Sequence, residues 1–178
     1  MRPVFLIGYM GCGKTTLGEE LARQMHCRFI DLDAFIEARQ GMTVVKIFDK
    51  TGEGRFRELE TEALHEVAAM TDVIVACGGG TPCHGDNMEL MNQSGITVWL
   101  TTSPQRITAR LLLPAEKCKR PKISTLLPDE VLPLVEKELR ERSIYYSQSQ
   151  LQFDSTDIET ASATRRTARR LAQILKGK

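Results

Sequence analysis

The sequence predicts a single α/β domain in which helices cover both faces of a mostly parallel sheet. Short apolar runs alternate with helical patterns along the 178 residues, and the first run, residues 4–7 (VFLI), contains no polar side chain. Strands that are buried on both faces of a parallel sheet have this composition. No repeat, linker or low-complexity segment divides the chain, so we expect one domain spanning residues 1–178.

The periodicity of apolar residues assigns the remaining elements in chain order. In the first predicted helix, Leu17, Leu21 and Met25 recur every four residues, as expected for one buried face. Ser103 followed by Pro104 is typical of a helix start. The other predicted strands are residues 28–31, 72–76, 96–100 and 151–154. The predicted helices cover residues 14–25, 33–40, 44–50, 53–70, 86–93, 129–148 and 159–176, with one more beginning at residue 103.

The composition excludes several classes of protein. Lysine plus arginine number 24 and aspartate plus glutamate 23, a formal net charge of +1, so no overall field of one sign favours a nucleic acid or a membrane. No apolar run approaches the roughly 20 residues of a membrane helix, and the apolar stretch after Met1 is too short for a secretory signal. The five cysteines show no CxxC spacing, which indicates reduced thiols in a cytoplasmic protein.

Residues 8–15, GYMGCGKT, match the phosphate-binding pattern GxxxxGK[ST], placed between a predicted strand and a predicted helix. Glycines allow backbone N–H groups to turn toward an anion, and the helix that follows adds the positive end of its dipole. Lys14 can reach the outer phosphates of a nucleoside triphosphate, and the Thr15 hydroxyl is a suitable oxygen ligand for Mg²⁺. The alternative is a glycine-rich turn that binds no ligand.

Asp31 and Asp33 follow the second predicted strand, and ligands of parallel sheets bind at the carboxyl ends of the strands. At the two-residue period of an extended chain, both carboxylates point to the same side. One can hold Mg²⁺ through water, while the other accepts a proton or hydrogen bond from a substrate hydroxyl. Because a helix follows, capping of that helix by Asp33 is the alternative.

An arginine and a glycine run are candidates for binding the rest of a phosphoryl acceptor. Arg57 and Glu60 share one face of a predicted helix, so the acid can hold a guanidinium that binds a carboxylate. An ordinary surface ion pair is the alternative. The glycines at residues 78–80 follow the third strand, where a ligand can approach the backbone closely; a flexible turn is the other interpretation.

Residues 113–127 predict an exposed basic loop, because they combine two prolines and four basic residues with little periodicity. The charges are either solvated or belong to a lid that brings cations over a phosphoryl group and excludes water. Arg120 lies in this segment. Arg142 lies on the long helix that follows, four residues before Tyr146.

Taken in this order, the motifs resemble the shikimate kinases, small P-loop kinases of the nucleoside monophosphate kinase type. The similarity runs from about Val4 to the C-terminal helix and includes Arg120 with Pro121, and Arg142 with Tyr146. It implies a three-layer α/β/α fold with a five-stranded parallel sheet in the order 2-3-1-4-5. It also implies a substrate-binding helical region at about residues 33–61 and a mobile lid at about 113–127.

The activity that the resemblance implies is ATP-dependent phosphorylation of the 3-hydroxyl of shikimate, a step toward chorismate and the aromatic amino acids. Mg²⁺ would be the cofactor, and the enzyme would be a cytoplasmic monomer with no nucleic acid or membrane partner. The implied catalytic residues are Lys14, Asp33 and Arg120, and the implied metal residues are Thr15 and, through water, Asp31.

The resemblance further implies which residues bind each substrate. Arg57 and Arg142 would grip the shikimate carboxylate, Asp33 its hydroxyls, and the glycine run would donate backbone N–H groups. The full implied shikimate set is Asp33, Arg57, Gly78, Gly79, Gly80 and Arg142. The implied ATP set is Gly11, Cys12, Gly13, Lys14, Thr15, Thr16, Arg110 and Arg120, with Arg110 stacking on adenine.

Three segments depart from the usual pattern of the family. Lys122 follows Pro121 where leucine is usual, and the predicted lid is a few residues longer. Residues 81–83 (TPC) replace the usual aliphatic residues, and residues 143–145 (SIY) replace the commoner proline–leucine pair before Tyr146. None of these departures removes a charged group that the implied mechanism needs.

The sequence is also compatible with other functions, which experiments can distinguish. A gluconate or nucleoside monophosphate kinase would share the fold, and a nucleotide-binding regulator would bind ATP without catalysis, although Asp33, Arg57 and Arg142 argue against the regulator. Arginine pairs at residues 165–166 and 169–170 suggest RNA contact. An amphipathic surface helix with Leu171, Ile174 and Leu175 on its other face is favoured.

Overall fold

The computed structural model describes residues 1–117 and 121–177. Its centre is a parallel sheet of five strands in the order β2-β3-β1-β4-β5, which confirms the order that the resemblance implies. The strands are β1 (Val4–Ile7), β2 (Arg28–Asp31), β3 (Val73–Ala76), β4 (Ile96–Thr101) and β5 (Leu151–Asp154). The helices are α1 (Lys14–Met25), α2 (Leu32–Gln40), α3 (Val44–Ala68), α4 (Asn87–Ser94), α5 (Pro104–Leu111), α6 (Pro114–Lys117), α7 (Pro121–Ser124), α8 (Pro128–Tyr146) and α9 (Ala161–Lys176).

The two faces of the sheet are covered by two different apolar cores. Successive residues of a strand point to opposite faces, and β1 places Phe5 and Ile7 in the core with α2, α3 and α4. Val4 and Leu6 point the other way and pack with α1 and α9. All four side chains are 0% exposed, which explains why this strand contains no polar residue. The three-layer prediction is confirmed.

Most predicted boundaries coincide with the observed ones, and the others differ by one or two residues. The separate helices predicted at residues 44–50 and 53–70 form α3, which is interrupted at Gly52, where φ is 80° and ψ is 171°. A residue at this φ cannot continue a helix, so the prediction of two helical segments is correct. A short 3₁₀ turn, Thr81–Cys83, was not predicted and follows the glycine run.

The prediction of an exposed loop at residues 113–127 is wrong for part of the described segment. Two short helices, α6 and α7, occupy it, and Ile123 is 0% exposed. Ile123 packs in a small core with Tyr9, Val131 and Val135. The segment shows little periodicity, so no pattern in it predicted the burial of Ile123. Arg120 lies outside the described residues.

Helix α9 is amphipathic, as predicted. Leu171 and Leu175 are buried in the core, while the arginine pairs at residues 165–166 and 169–170 lie on the exposed face. Ile174 is 40% exposed, so its predicted place on the buried face is wrong. Within residues 1–117 and 121–177, no helix is both long and apolar enough to cross a membrane.

We expect Gly95→Ala to destabilise the fold. A Cβ atom at Gly95 would lie 2.3 Å from the carbonyl oxygen of Pro3 and 2.6 Å from the Phe5 ring, and both neighbours are fixed beside the central strand. Overpacking of this kind costs about 1–3 kcal/mol. The free energy of unfolding, measured by urea titration with circular dichroism, should fall by that amount.

The matched control is Gly54→Ala, in α3. A Cβ atom there would meet nothing within 4 Å, and alanine favours a helix over glycine by roughly 0.5–1 kcal/mol. This variant should be as stable as the native chain or more so. An unchanged urea midpoint for Gly95→Ala would contradict the close packing of β1 against the start of β4.

Candidate active site

The loop after β1 wraps around the ammonium group of Lys14. Lys14 Nζ donates to the carbonyl oxygens of Gly8 at 2.8 Å and Tyr9 at 3.0 Å. Gly13 ends the loop with φ 99°, and a Cβ atom there would lie 2.2 Å from the Ile158 side chain. Only glycine fits this position. Helix α1 begins at the next residue, so the positive end of its dipole faces the space that the loop encloses.

Asp31 joins the phosphate-binding loop to α2. The Thr15 hydroxyl donates to Asp31 Oδ2 at 2.9 Å, while Asp31 Oδ1 accepts the backbone N–H groups of Asp33 and Ala34. The cap of α2 is therefore Asp31, and the alternative role of Asp33 as a cap is wrong. Asp33 lies within the first turn of α2, which leaves its carboxylate available for other contacts.

The pair formed by Thr15 and Asp31 fits Mg²⁺, because a hydroxyl and a carboxylate oxygen are hard ligands 2.9 Å apart. In the part of the chain that the structure describes, no group of three or more His, Cys, Asp or Glu side chains could hold a metal ion. Mg²⁺ bound with a nucleotide needs only one or two protein oxygens, since phosphates and water supply the others.

Asp33 is the carboxylate with the most perturbed environment in this region. Burial, followed by the charges of Glu60 and Asp31, raises the pKa of Asp33 to about 6, while Lys14 opposes the shift. A pKa moved toward neutrality by burial and by neighbouring charges is a common feature of groups that transfer protons. Asp33 is thus a suitable acceptor for the proton of a substrate hydroxyl.

Charged side chains approach each glycine of the run that follows β3. A Cβ atom at Gly78 would lie 2.7 Å from Glu60 Oε1 and 3.2 Å from Asp33 Oδ1, one at Gly79 would lie 3.3 Å from Arg142 Nη1, and one at Gly80 would lie 2.7 Å from Arg57 Nη1. Each glycine therefore allows a functional group to approach the backbone. This packing favours a role in the site over the alternative of a merely flexible turn.

Arg57 is held by two acids of its own helix. Its Nη1 atom donates to Glu60 Oε2 at 2.5 Å, and its Nη2 atom donates to Glu53 Oε1 at 2.9 Å. Glu60 is 1% exposed and also accepts the Thr81 hydroxyl at 2.5 Å. An ordinary surface ion pair would not have a buried acid with a second donor, so this alternative is wrong.

Arg142 is held in the same manner on α8. Its Nη2 atom donates to Glu138 Oε2 at 2.9 Å, and its guanidinium lies 5.3 Å from the centre of the Tyr9 ring. The Tyr146 hydroxyl, one turn further along α8, donates to the Gly79 carbonyl oxygen at 2.5 Å. We call Arg57 and Arg142 the arginine pair. Burial raises the pKa of Cys83, and the charges of both arginines oppose that shift.

A cavity of about 500 Å³ extends from the phosphate-binding loop to Asp33, Gly78 and Gly79. Gly80 and the arginine pair do not line this cavity; Arg57 lies against Gly80, and Arg142 lies against Gly79. The side chain of Cys12, a residue of the loop, is buried. The predicted residues that line the cavity are Gly11, Gly13, Lys14, Thr15, Thr16, Asp31, Asp33, Gly78, Gly79 and Arg110.

Arg110 reaches the cavity from α5. Its guanidinium donates to the carbonyl oxygens of Gly11 at 3.0 Å and Thr156 at 3.1 Å, and to Glu159 at 2.8 Å. These contacts fix the arginine at the edge of the phosphate-binding loop. Its stacking on adenine stays a prediction.

The sequence reasoning missed Glu138 and Thr81. Glu138 lies four residues before Arg142, and residues spaced four apart on a helix are neighbours, so this partner could have been found. Thr81 belongs to the unpredicted 3₁₀ turn, and its contact with Glu60 joins segments 21 residues apart. No local pattern indicates that contact.

The fold and this site define a P-loop kinase for a small molecule: a phosphate-binding loop and an acid of raised pKa line one cavity, and two arginines lie beside it at the glycine run. A family model described as shikimate kinase matches residues 10–175. The chain belongs to the shikimate kinase family.

Individual relatives agree over the whole chain. A shikimate kinase of Parabacteroides distasonis is 42% identical over 177 residues, which is 98% of this chain and 100% of the relative. The crystal structure of a shikimate kinase from Bacteroides thetaiotaomicron is 40% identical, with a TM-score of 0.93 and 98% of both chains covered. A shikimate kinase of Acinetobacter baumannii, solved in complex with shikimate, is 30% identical, with a TM-score of 0.84 over 99% of this chain and 94% of that one.

Asp33→Asn is expected to stabilise the ligand-free protein at high pH. Because the folded-state pKa of Asp33 is raised from 3.8 to about 6, its protonation favours folding. That contribution is fully present below pH 3.8 and is lost as the pH rises through 6. At about 1.4 kcal/mol per pKa unit, the uncharged asparagine should gain up to about 3 kcal/mol at pH 8 and almost nothing at pH 4.

Urea titrations at several pH values measure this difference in the free energy of unfolding. A difference between the two chains that does not change between pH 4 and pH 8 would show that the Asp33 carboxylate is not held in an unfavourable environment.

Proposed function

We propose that this chain transfers the terminal phosphoryl group of ATP to the 3-hydroxyl of shikimate, giving shikimate 3-phosphate and ADP. Family membership supports the reaction. The observation that carries the assignment of roles is the meeting of Asp33, Arg57 and Arg142 at three consecutive glycines beside the phosphate-binding loop. These groups match an acceptor that has both hydroxyls and a carboxylate.

The arginine pair binds the carboxylate of shikimate. A guanidinium presents parallel N–H donors that match the two oxygens of a carboxylate. Glu60 and Glu138 fix each guanidinium from its own helix, so little rotamer freedom is lost when the substrate binds. The backbone N–H groups of Gly79 and Gly80 add hydrogen-bond donors on the same side.

Asp33 orients the 3-hydroxyl and accepts its proton as the phosphoryl group is transferred. Phosphoryl transfer depends mainly on in-line positioning and on neutralisation of charge, and Asp33 supplies the positioning. With a pKa of about 6 in the ligand-free protein, the carboxylate is ionised near neutral pH and is basic enough to assist.

The phosphates of ATP are held by the backbone of residues 11–16 and by Lys14. Thr15 and Asp31 hold Mg²⁺, which would neutralise charge on the phosphates when bound. Arg120 is assigned to the lid as a second cation for the transferring group, on the resemblance of the sequence. A monomeric state, a cytoplasmic location and movement of the lid stay predictions.

The direct test is the release of ADP in the presence of ATP, Mg²⁺ and a panel of acceptors. Shikimate should support turnover, while gluconate and AMP should not. Turnover with either of those acceptors in place of shikimate would assign the chain to a different kinase. Nucleotide binding with no turnover of any acceptor would indicate a regulator.

We expect Arg57→Ala to raise the KM for shikimate by at least about tenfold, because two or more charge-assisted hydrogen bonds to a carboxylate are lost. The KM for ATP should change by less than about twofold, since Arg57 does not line the cavity beside the phosphate-binding loop. Steady-state kinetics with each substrate varied in turn give both values.

Arg55→Ala is the matched control for that variant. Arg55 lies on the same helix, is 45% exposed and pairs with Glu58 and Glu62 at the surface. Its removal should leave both KM values unchanged. Unchanged shikimate kinetics in Arg57→Ala would remove Arg57 from the acceptor site.

We expect Asp33→Asn to lower kcat by well over tenfold, the lower range for general acid–base catalysis. In the native chain, kcat/KM for shikimate should decline below about pH 6, because protonation of Asp33 in the free enzyme removes the base. Rates from pH 5 to 9 test both statements, with the exposed Asp49→Asn as a control that keeps full activity. A near-normal rate for Asp33→Asn would limit Asp33 to a structural role.

A further inference from the structure

Glu138 on α8 is a buried carboxylate with three donors. Its side chain is 6% exposed. Oε2 accepts the Tyr9 hydroxyl at 2.9 Å and Arg142 Nη2 at 2.9 Å. The ammonium group of Lys122, on α7, donates to the other oxygen, Oε1.

These contacts keep Glu138 ionised. Burial raises the pKa of a carboxyl group, but the hydrogen bond from Lys122, the charge of Arg142 and the Tyr9 hydroxyl more than offset it and lower the pKa of Glu138. An ionised acid beside one arginine would form a neutral pair. With Lys122 on its second oxygen, the cluster instead keeps a net positive charge.

We propose that Lys122 is a positioning residue for the acceptor site: by binding one oxygen of Glu138, it leaves Arg142 with an uncompensated positive charge for the carboxylate of the substrate. The proposal rests on the proposed function, because it requires an anionic acceptor at Arg142. The ammonium group of Lys122 is bonded to Glu138, so we assign it an action through Glu138 rather than through contact with either substrate.

The charge of Lys122 also reaches the second arginine. Lys122 is among the charges that lower the pKa of Glu53, and Glu53 is the exposed acid that accepts from Arg57 Nη2. Lys122 thus opposes the negative charge beside both members of the arginine pair. A cation placed there favours the binding of an anion, because it offsets negative charge that the acids hold beside the two arginines.

The alternative is that the contact between Lys122 and Glu138 is purely structural and only holds α7 against α8. The two possibilities differ in what the second substitution does. If Lys122 offsets a charge, then Lys122→Met weakens shikimate binding and the added Glu138→Gln, which removes the excess negative charge, restores it. If the role of Lys122 is purely structural, the double variant binds shikimate as weakly as the single variant or more weakly.

The experiment measures the Kd of shikimate by calorimetry on the full chain, with thermal unfolding of each variant as a check on folding. Lys122→Met should raise Kd about fivefold, the upper end of the effect of an exposed ion pair. The conservative Lys122→Arg should bind within about twofold of the native chain, and Lys122→Met/Glu138→Gln should bind shikimate at least about twofold more tightly than Lys122→Met. The Kd of ADP should change by less than about twofold in all three variants.

Lys137→Met is the matched control, because Lys137 is an exposed lysine of α8 that pairs with Glu141 at 4.0 Å; its shikimate Kd should be that of the native chain. A native Kd for Lys122→Met, or a double variant as weak as Lys122→Met, would overturn the proposal while leaving the reaction intact. A native chain that binds no shikimate would instead overturn the proposed function, and with it this inference.

Lys122→Arg keeps the test decisive if Lys122→Met fails to fold. A fivefold loss of shikimate affinity in Lys122→Arg would exclude a role based on charge alone.

Discussion

The close approach of three charged side chains to the backbone of residues 78–80 is the constraint on which the candidate site depends. Asp33 comes from α2, Arg57 from α3 and Arg142 from α8, and each meets a different glycine. A side chain on any of these glycines would fill the space that a functional group uses. The end of β3 thus fixes the relative positions of groups that lie on three separate helices.

Each member of the arginine pair is oriented by an acid on its own helix. Arg57 is bonded to Glu60 three residues away, and Arg142 to Glu138 four residues away. Removing a carboxylate from water is costly, and both acids offset the cost with an additional donor, Thr81 or Tyr9. The benefit is two guanidinium groups with fixed directions, which a mobile surface arginine does not provide.

The same region holds negative charge that does not favour folding. The raised pKa of Asp33 results from burial near Glu60 and Asp31, so the ligand-free protein bears an unfavourable charge at neutral pH. A bound Mg²⁺ and the positive end of α1 would act in the opposite direction. Charged groups in environments that destabilise the fold are common in active sites, where activity is favoured over stability.

Features that are continuous in the chain could be predicted from the sequence. Residues 8–15 form a phosphate-binding loop because its glycines, lysine and threonine are adjacent, and the apolar strands and the helices follow from local periodicity. The order of the strands came from resemblance to a family rather than from periodicity, because apolar strands with similar patterns do not specify their neighbours. The cap of α2 by Asp31 is also local, but the helix start was predicted one residue late, at residue 33, so the sequence left the cap open. The burial of Ile123 and the contact of Lys122 with Glu138 became known only from the three-dimensional structure. They depend on how the helices pack on the sheet, and spacing in the chain carries no information about that packing.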